Sequence, residues 1–247
     1  MDKVLYVAMT GARENMRAQQ AHANNLANAT TTAFKSDLEQ ARSMRVLGDG
    51  FESRVYSMSE RPGTNLESGA LMHTGRDLDV AVAGDGWLAV IGPDGKEVYT
   101  RNGALQINAA NQLVTGSGLP VLSVGGAPIV IPPADKVAIA NDGSITVRPQ
   151  GENAVELALV DQLKLVQPEE GALFKGPDGF MHTDNDVPLL PAPGVQVRPG
   201  YLEASNVNAV EDLTAMISLS RQFEMQVKMM KTAEENSSAA SEILKLS

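Results

Sequence analysis

The chain has 247 residues, 43% of them apolar, and a formal net charge of −10 at neutral pH. It is long enough for one or two domains with a sizeable core, and its charge repels a phosphate backbone. No cluster of Lys and Arg offsets that charge, which excludes nucleic acid as a partner, and the absence of cysteine removes disulfides and thiolate metal sites.

The first element is a helix, expected over residues 2–28. Leu5, Met9, Ala12, Met16, Gln19, Ala23 and Leu26 recur in alternating steps of four and three, the average period of a coiled-coil seam. The apolar run Val4 to Met9 stops at Thr10 and Gly11 and then meets Arg13 and Glu14, too short for a signal-peptide core. No stretch approaches the roughly 20 apolar residues of a membrane span, so no membrane insertion and no cleaved signal are expected. The helix should stop around Asn24-Asn25-Leu26-Ala27-Asn28, ahead of Thr30, Thr31 and Thr32. Asn25 and Asn28 share a face, Asn tolerates a left-handed cap, and consecutive threonines disfavour continuation, so a helix stop with an exposed amide-rich face is expected.

Residues 36–75 hold apolar side chains without a sustained period and are broken by Gly48, Gly50, Pro62, Gly63 and Gly69. They read as an extended linker with one short strand. From residue 76 the period becomes two. Leu78, Val80 and Val82 alternate, Gly84-Asp85-Gly86 supplies a turn, and Trp87, Ala89 and Ile91 alternate before Pro93-Asp94-Gly95, a pattern of successive hairpins. Turn residues at Asn102-Gly103, Gly116 to Gly118, Gly125-Gly126 and Asn141 to Gly143 extend the pattern, and a second β stretch follows from Val155 to Val166. This gives a central all-β domain over 76–200, with a possible subdivision near 150. The prolines between Pro188 and Pro199 mark the return path to a final helix.

No Gly or Pro occurs from Tyr201 to Ser247, and Leu213, Met216, Ser220, Phe223, Val227 and Met230 repeat the coiled-coil spacing. A helix is expected over about 207–245, with its pairing ending or shifting near Glu234. The fold class is therefore mixed α and β: long N- and C-terminal helices paired as a coiled coil, and a mainly antiparallel central β domain. The domain boundaries are 1–35, 36–75, 76–200 and 201–247.

No site for chemistry emerges from these residues. His22, His73 and His182 are scattered, none with a second His or a carboxylate at metal-ligand spacing on a helix, and they are expected to be exposed or singly hydrogen-bonded. Gly84-Asp85-Gly86-Trp87 lacks the third glycine and following helix of a phosphate loop. Asp184-Asn185-Asp186 lacks the spacing of a calcium loop, and Gly116-Ser117-Gly118 is no nucleophile elbow. The expectation is no catalytic residue, no cofactor, no metal and no small-molecule substrate. The methionines cluster on the two helices, where packing accounts for them.

The stretch Asn24, Asn25, Leu26, Ala27, Asn28, continuing to Thr32, Phe34 and Lys35, resembles the motif of bacterial flagellar rod and hook proteins, with Ala33 standing where that family usually has Gly. Arg76 to Val82, Gly84 to Val90 and Tyr99 to Gly103 are similar to the family's central β domain. Gly200-Tyr201-Leu202-Glu203-Ala204-Ser205-Asn206-Val207-Asn208, continuing into Met216, Arg221 and Phe223-Glu224, resembles the start of its C-terminal helix, with Ser205 placed to cap the first turn. The start of the chain, the Gly86 to Val90 strand and Phe223 to Gln226 resemble a proximal-rod rather than a distal-rod member.

The resemblance implies a structural subunit of the flagellar rod that carries torque from motor to hook. Its partners would be copies of itself, other rod subunits and the flagellar type III export apparatus. Leu5, Met9, Ala12, Met16, Ala23, Asn25, Leu26, Asn28, Leu213, Met216, Phe223, Val227 and Met230 would form the assembly interface. Rival readings are a distal-rod or hook-type subunit, a secreted adhesin, and a periplasmic cell-wall hydrolase with a helical docking handle. The last would need converging carboxylates or a nucleophile with a base.

Overall fold

In the computed structural model of the chain the described residues are 2–38, 41–45, 55–59, 63–149, 157–169 and 171–245. They form two compact units. A helical unit comprises Met1–Ala29, Ser36–Asn65 and Val207–Ser247, and a β unit comprises Thr30–Lys35 and Leu66–Asn206.

The helical unit is built on α1 (Asp2–Ala27) and α2 (Ala209–Lys245), which pack along one another. Both lie within about two residues of the ranges expected from apolar spacing, because in each case the period is unbroken by Pro. Asn208, the residue just before α2, accepts at that helix's first turn: its side-chain Oδ1 accepts from Glu211 N at 3.4 Å and its carbonyl from Asp212 N at 3.0 Å. Glu211 and Asp212 then place negative charge on the positive end of the helix.

Among its described residues, the segment read as a linker with one strand contains five short ones. Within the helical unit Asp37–Leu38 pairs antiparallel with Gly63–Thr64, and Ala41–Arg45 with Val55–Ser59. The fifth, Leu71–His73, belongs to the β unit. A two- or three-residue strand has too few positions to show a period, which is why the sequence hides three of them; Ala41–Arg45 and Val55–Ser59 are five residues long.

In the β unit a five-stranded antiparallel sheet has the order Leu165–Val166, Trp87–Ile91, Glu97–Thr100, Met181–Thr183, Leu173–Lys175. A three-stranded sheet follows, Ala134–Ile139, Ser144–Pro149 and Ala158–Gln162. The start of the second β stretch at Val155 and the subdivision near 150 lie outside the described residues. Along Trp87–Ile91 alternate side chains enter different cores. Leu88 and Val90 join Val98, Leu105 and Ile145, while Trp87 and Ala89 join Tyr99, Leu122 and Val166. Both faces of that strand are covered, so the alternation seen in the sequence is one of two packed faces.

One expected hairpin does not form. Val80–Val82 pairs with Val197–Pro199, not with Trp87–Ile91. The intervening Gly84 and Gly86 turn their carbonyls to the Arg101 guanidinium instead of closing a two-strand turn. The proline-rich return path thus ends as a strand, with Pro199 at its last position, where no further ladder donor is required. Gly200, at φ 76°, turns the chain into Tyr201–Glu203, which pairs with Leu71–His73.

Candidate functional site

The motif residues of the β unit converge on one buried carboxylate. Glu203 is 1% exposed, and its Oε1 accepts from Lys35 Nζ at 2.7 Å and from the Gly69 backbone N–H at 2.9 Å. Its Oε2 faces Arg101 Nε at 3.5 Å, a charge contact without a hydrogen bond. Two buried cations therefore share one anion, and backbone carbonyls take up the excess. Lys35 also donates to Glu67 O at 2.6 Å, and Arg101 donates to Gly86 O at 3.1 Å, to Ser68 Oγ at 2.8 Å and to Gly84 O. Arg101 lies 5.5 Å from the centre of the Trp87 ring.

Around this centre residues 30–35 lie against 201–206. Ala33 N donates to Glu203 O at 2.8 Å, Asn206 N to Phe34 O at 3.3 Å, and Thr32 Oγ1 to Asn102 Oδ1 at 3.2 Å. Lys175 Nζ sits 4.0 Å from the Phe34 ring and donates to Lys35 O. Ala33 has φ 58°, so the left-handed backbone of the motif is kept although the residue is not glycine. No side chain fits at Gly69, where a Cβ would overlap the Ala204 carbonyl. The ion network thus holds side by side the two points at which the chain enters and leaves the β unit. Leu202 and Glu203 are buried there, and Ser205 and Asn206 complete the segment.

In the helical unit the remaining motif residues do a second job. Asn25, expected on an exposed face, is 3% exposed because the chain returns past the helix end: its Nδ2 donates to Asp37 O at 3.0 Å and its Oδ1 accepts from Asp37 N at 2.8 Å. Its amide thereby pairs with a peptide group as a neighbouring strand would. Asn24 donates to Asp37 Oδ2 at 2.8 Å, and Asn28 Nδ2 to Asn24 O at 2.9 Å, which closes the last turn next to Ala27.

Along α1 the stripe turned inward contains Ala8, Ala12 and Asn25, with Leu5, Gln19 and Leu26 half-buried. Met9 and Met16 are 54% and 51% exposed, and Ala23 is exposed as well. On α2 Met216, Ser220, Phe223 and Met230 are half-buried, whereas Leu213 and Val227 are exposed. His22 Nδ1 meets Asp212 Oδ1 at 2.5 Å across the two helices. Sequence reasoning missed Asp37, Glu67, Gly69, Arg101, Lys175 and Asp212. Of these, Arg101 lay within the stretch Tyr99 to Gly103 that the resemblance had singled out, between Thr100 and Asn102.

Burial pushes the Lys35 ammonium below the usual lysine range, and Glu203 opposes that through its hydrogen bond and charge. Burial likewise pushes the Tyr99 hydroxyl well above the usual tyrosine value, while it donates to Glu97 Oε1 at 3.0 Å and accepts from Leu189 N at 2.8 Å. Among the described residues no group of three or more His, Asp or Glu is placed to hold a metal ion, and no helix is long and apolar enough to cross a membrane. The arrangement ties backbone to backbone; its polar groups are spent on each other.

Comparison with known proteins agrees with this geometry. Residues 198–243 match the family described as flagellar basal body rod FlgEFG protein, C-terminal, and residues 81–147 match the flagellar hook protein FlgE/F/G D1 domain. The chain is similar to the flagellar basal-body rod protein FlgF of Escherichia coli (strain K12), 38% identical over 253 residues and covering all of both chains. The FlgF of Salmonella typhimurium is 37% identical over the same span, again the whole of each. That of Caulobacter vibrioides is 35% identical over 252 residues, covering 99% of this chain and 98% of the relative. With identity at this level running from end to end, the chain belongs to the family of flagellar basal-body rod proteins, and within it to the FlgF group.

Proposed function

We propose that this chain is a structural subunit of the proximal rod that assembles with copies of itself and with other rod subunits through α1 and α2, paired as a coiled coil. It thereby passes torque from motor to hook, a mechanical role without a catalytic step. The flagellar type III export apparatus delivers it to the growing rod, and its place is the basal body.

One observation carries this reading. With α1 and α2 already packed together, Tyr6, Met9 and Met16 on α1 and Val210, Leu213, Ile217, Met225, Val227 and Met229 on α2 still face outward. Each such side chain gains roughly 1.5–3 kcal/mol when fully buried, so a helix pair of this composition is stabilised by neighbours on its outer face. Met9 and Met16 stand one heptad apart and share that face.

The test is the double substitution Met9→Asp/Met16→Asp in cells. Both positions are exposed within the chain, so the protein should accumulate in folded, soluble form. Rods should stay incomplete and hooks scarce in electron micrographs of isolated basal bodies. Normal hooks and swimming with both aspartates present would remove the outer face from the assembly interface.

A further inference from the structure

The contact between α1 and α2 contains one notch. A Cβ built at Gly11 would lie 2.6 Å from Gln226 Nε2 and 3.2 Å from its Cδ, so the Gln226 amide, the far end of a flexible side chain, fills the space beside Gly11, and a side chain larger than a methyl there has to displace it. Glycine inside a helix is disfavoured against alanine by backbone entropy, and here it lies nine residues past the helix start. Glu14 and Asn15, three and four residues further on, share its face. Glu14 Oε2, Asn15 Nδ2 and Gln226 Oε1 are all buried and have no hydrogen-bond partner among the described residues. A seam meant only to pack would carry apolar groups at these points. Polar side chains in a packing seam weaken pairing, but Gly11 is the only glycine of α1, so an axial slip sets the Gln226 amide against a side chain.

We propose that Gly11 and Gln226 are the register-setting pair of the two terminal helices. The His22–Asp212 contact is the second fixed point. The earlier residue of α1 meets the later residue of α2 at one point and the reverse holds at the other, so the helices run antiparallel and two points suffice to fix their axial position. A slip by one heptad would preserve the apolar spacing and still bring the Gln226 amide onto a side chain instead of a glycine. Register in turn decides which outward residues of α1, Met9 and Met16 among them, stand beside which of α2. That last consequence rests on the rod-subunit reading above; the register itself does not.

The absence of cysteine permits a direct measurement. The full chain carrying His22→Cys and Asp212→Cys is treated with a short bismaleimide, and its yield is compared with that of His22→Cys and Leu219→Cys, one heptad along α2. The first pair also removes the His22–Asp212 contact, so the reporter reads the notch alone. The first pair should cross-link in preference to the second, and Gly11→Leu should lower that preference by about tenfold or more. Leucine is the better helix former, so α1 itself should persist by circular dichroism. Adding Gln226→Ala to Gly11→Leu should restore the preference by emptying the space the leucine needs. A parent chain that favours the heptad-shifted pair, a preference unmoved by Gly11→Leu, or a failure of Gln226→Ala to restore it would each overturn the proposal. In cells, hook numbers should follow the cross-link ratio across these variants, and normal hooks in a Gly11→Leu strain whose ratio has shifted would overturn the link from register to assembly. Failure of the rod reading would show separately, in the Met9→Asp/Met16→Asp strain.

Discussion

Replacing Glu203 by glutamine keeps the shape of the side chain and removes its charge. At an effective dielectric of about 20, an ammonium at 2.7 Å and a guanidinium at 3.5 Å attract the carboxylate by about 6 and about 5 kcal/mol. Desolvation of three buried ions offsets most of this, so the expected loss is that of breaking a buried pair, about 3–5 kcal/mol. The glutamine oxygen can still accept from Gly69 N–H, so the loss comes from charge and not from a missing acceptor. Against a typical domain stability of about 5–15 kcal/mol this is a large fraction. The chain has one tryptophan, and Trp87 is buried in the same unit, so urea unfolding followed by its fluorescence reports on this unit alone. Lys35→Met should cost a similar amount, and the double variant Lys35→Met/Glu203→Gln should cost less than the sum, with a coupling of about 2 kcal/mol or more. A loss below about 1 kcal/mol for Glu203→Gln, or additive single effects, would show that the network does not hold residues 30–35 against 201–206.

Two further outcomes follow from the same unit. Ala33→Gly should raise the urea midpoint read at Trp87 by the equivalent of about 0.5–1 kcal/mol, because φ 58° burdens alanine by about 1–2 kcal/mol and the greater unfolded freedom of glycine returns part of the gain. A lowered midpoint would contradict the left-handed backbone at that position. Above about pH 10 the Tyr99 hydroxyl, held up by burial, should make the parent chain lose stability at up to about 1.4 kcal/mol per pH unit. The sign follows because the unfolded tyrosine ionises first, so the native state binds more protons and falls behind as pH rises. Lys35 acts in the opposite direction below its ordinary value of 10.5, since there the unfolded lysine binds more protons than the native one. The difference between parent and Tyr99→Phe unfolding curves from about pH 9 to about pH 11 therefore isolates the tyrosine, and a difference independent of pH would refute the assignment.

The lengths of the two helices were legible in the residues because helix formation is local: an apolar period sustained over many turns, with no Pro inside, specifies where a helix runs. Turn residues were legible for the same reason. Gly118, Gly126 and Gly143 all adopt positive φ at the turns their dipeptides announced. The motif flanking the helices was visible as well, though not what it does. Phase was a different matter. Ala8 and Met9, Asn15 and Met16 are adjacent, so either of two stripes satisfies the same spacing, and only the packing of α2 turned Ala8 and Ala12 inward and left Met9 and Met16 outside. Pairings distant in sequence were equally out of reach. Val80–Val82 could have closed a hairpin with the next strand, but the Arg101 guanidinium holds the Gly84 and Gly86 carbonyls, and the partner arrives from Val197–Pro199. Lys35 and Glu203 stand 168 positions apart, and nothing in either neighbourhood announces the other. A period fixes what a segment becomes on its own, whereas the rotation of a helix and the partner of a buried charge are decided by groups that meet only once the chain has folded.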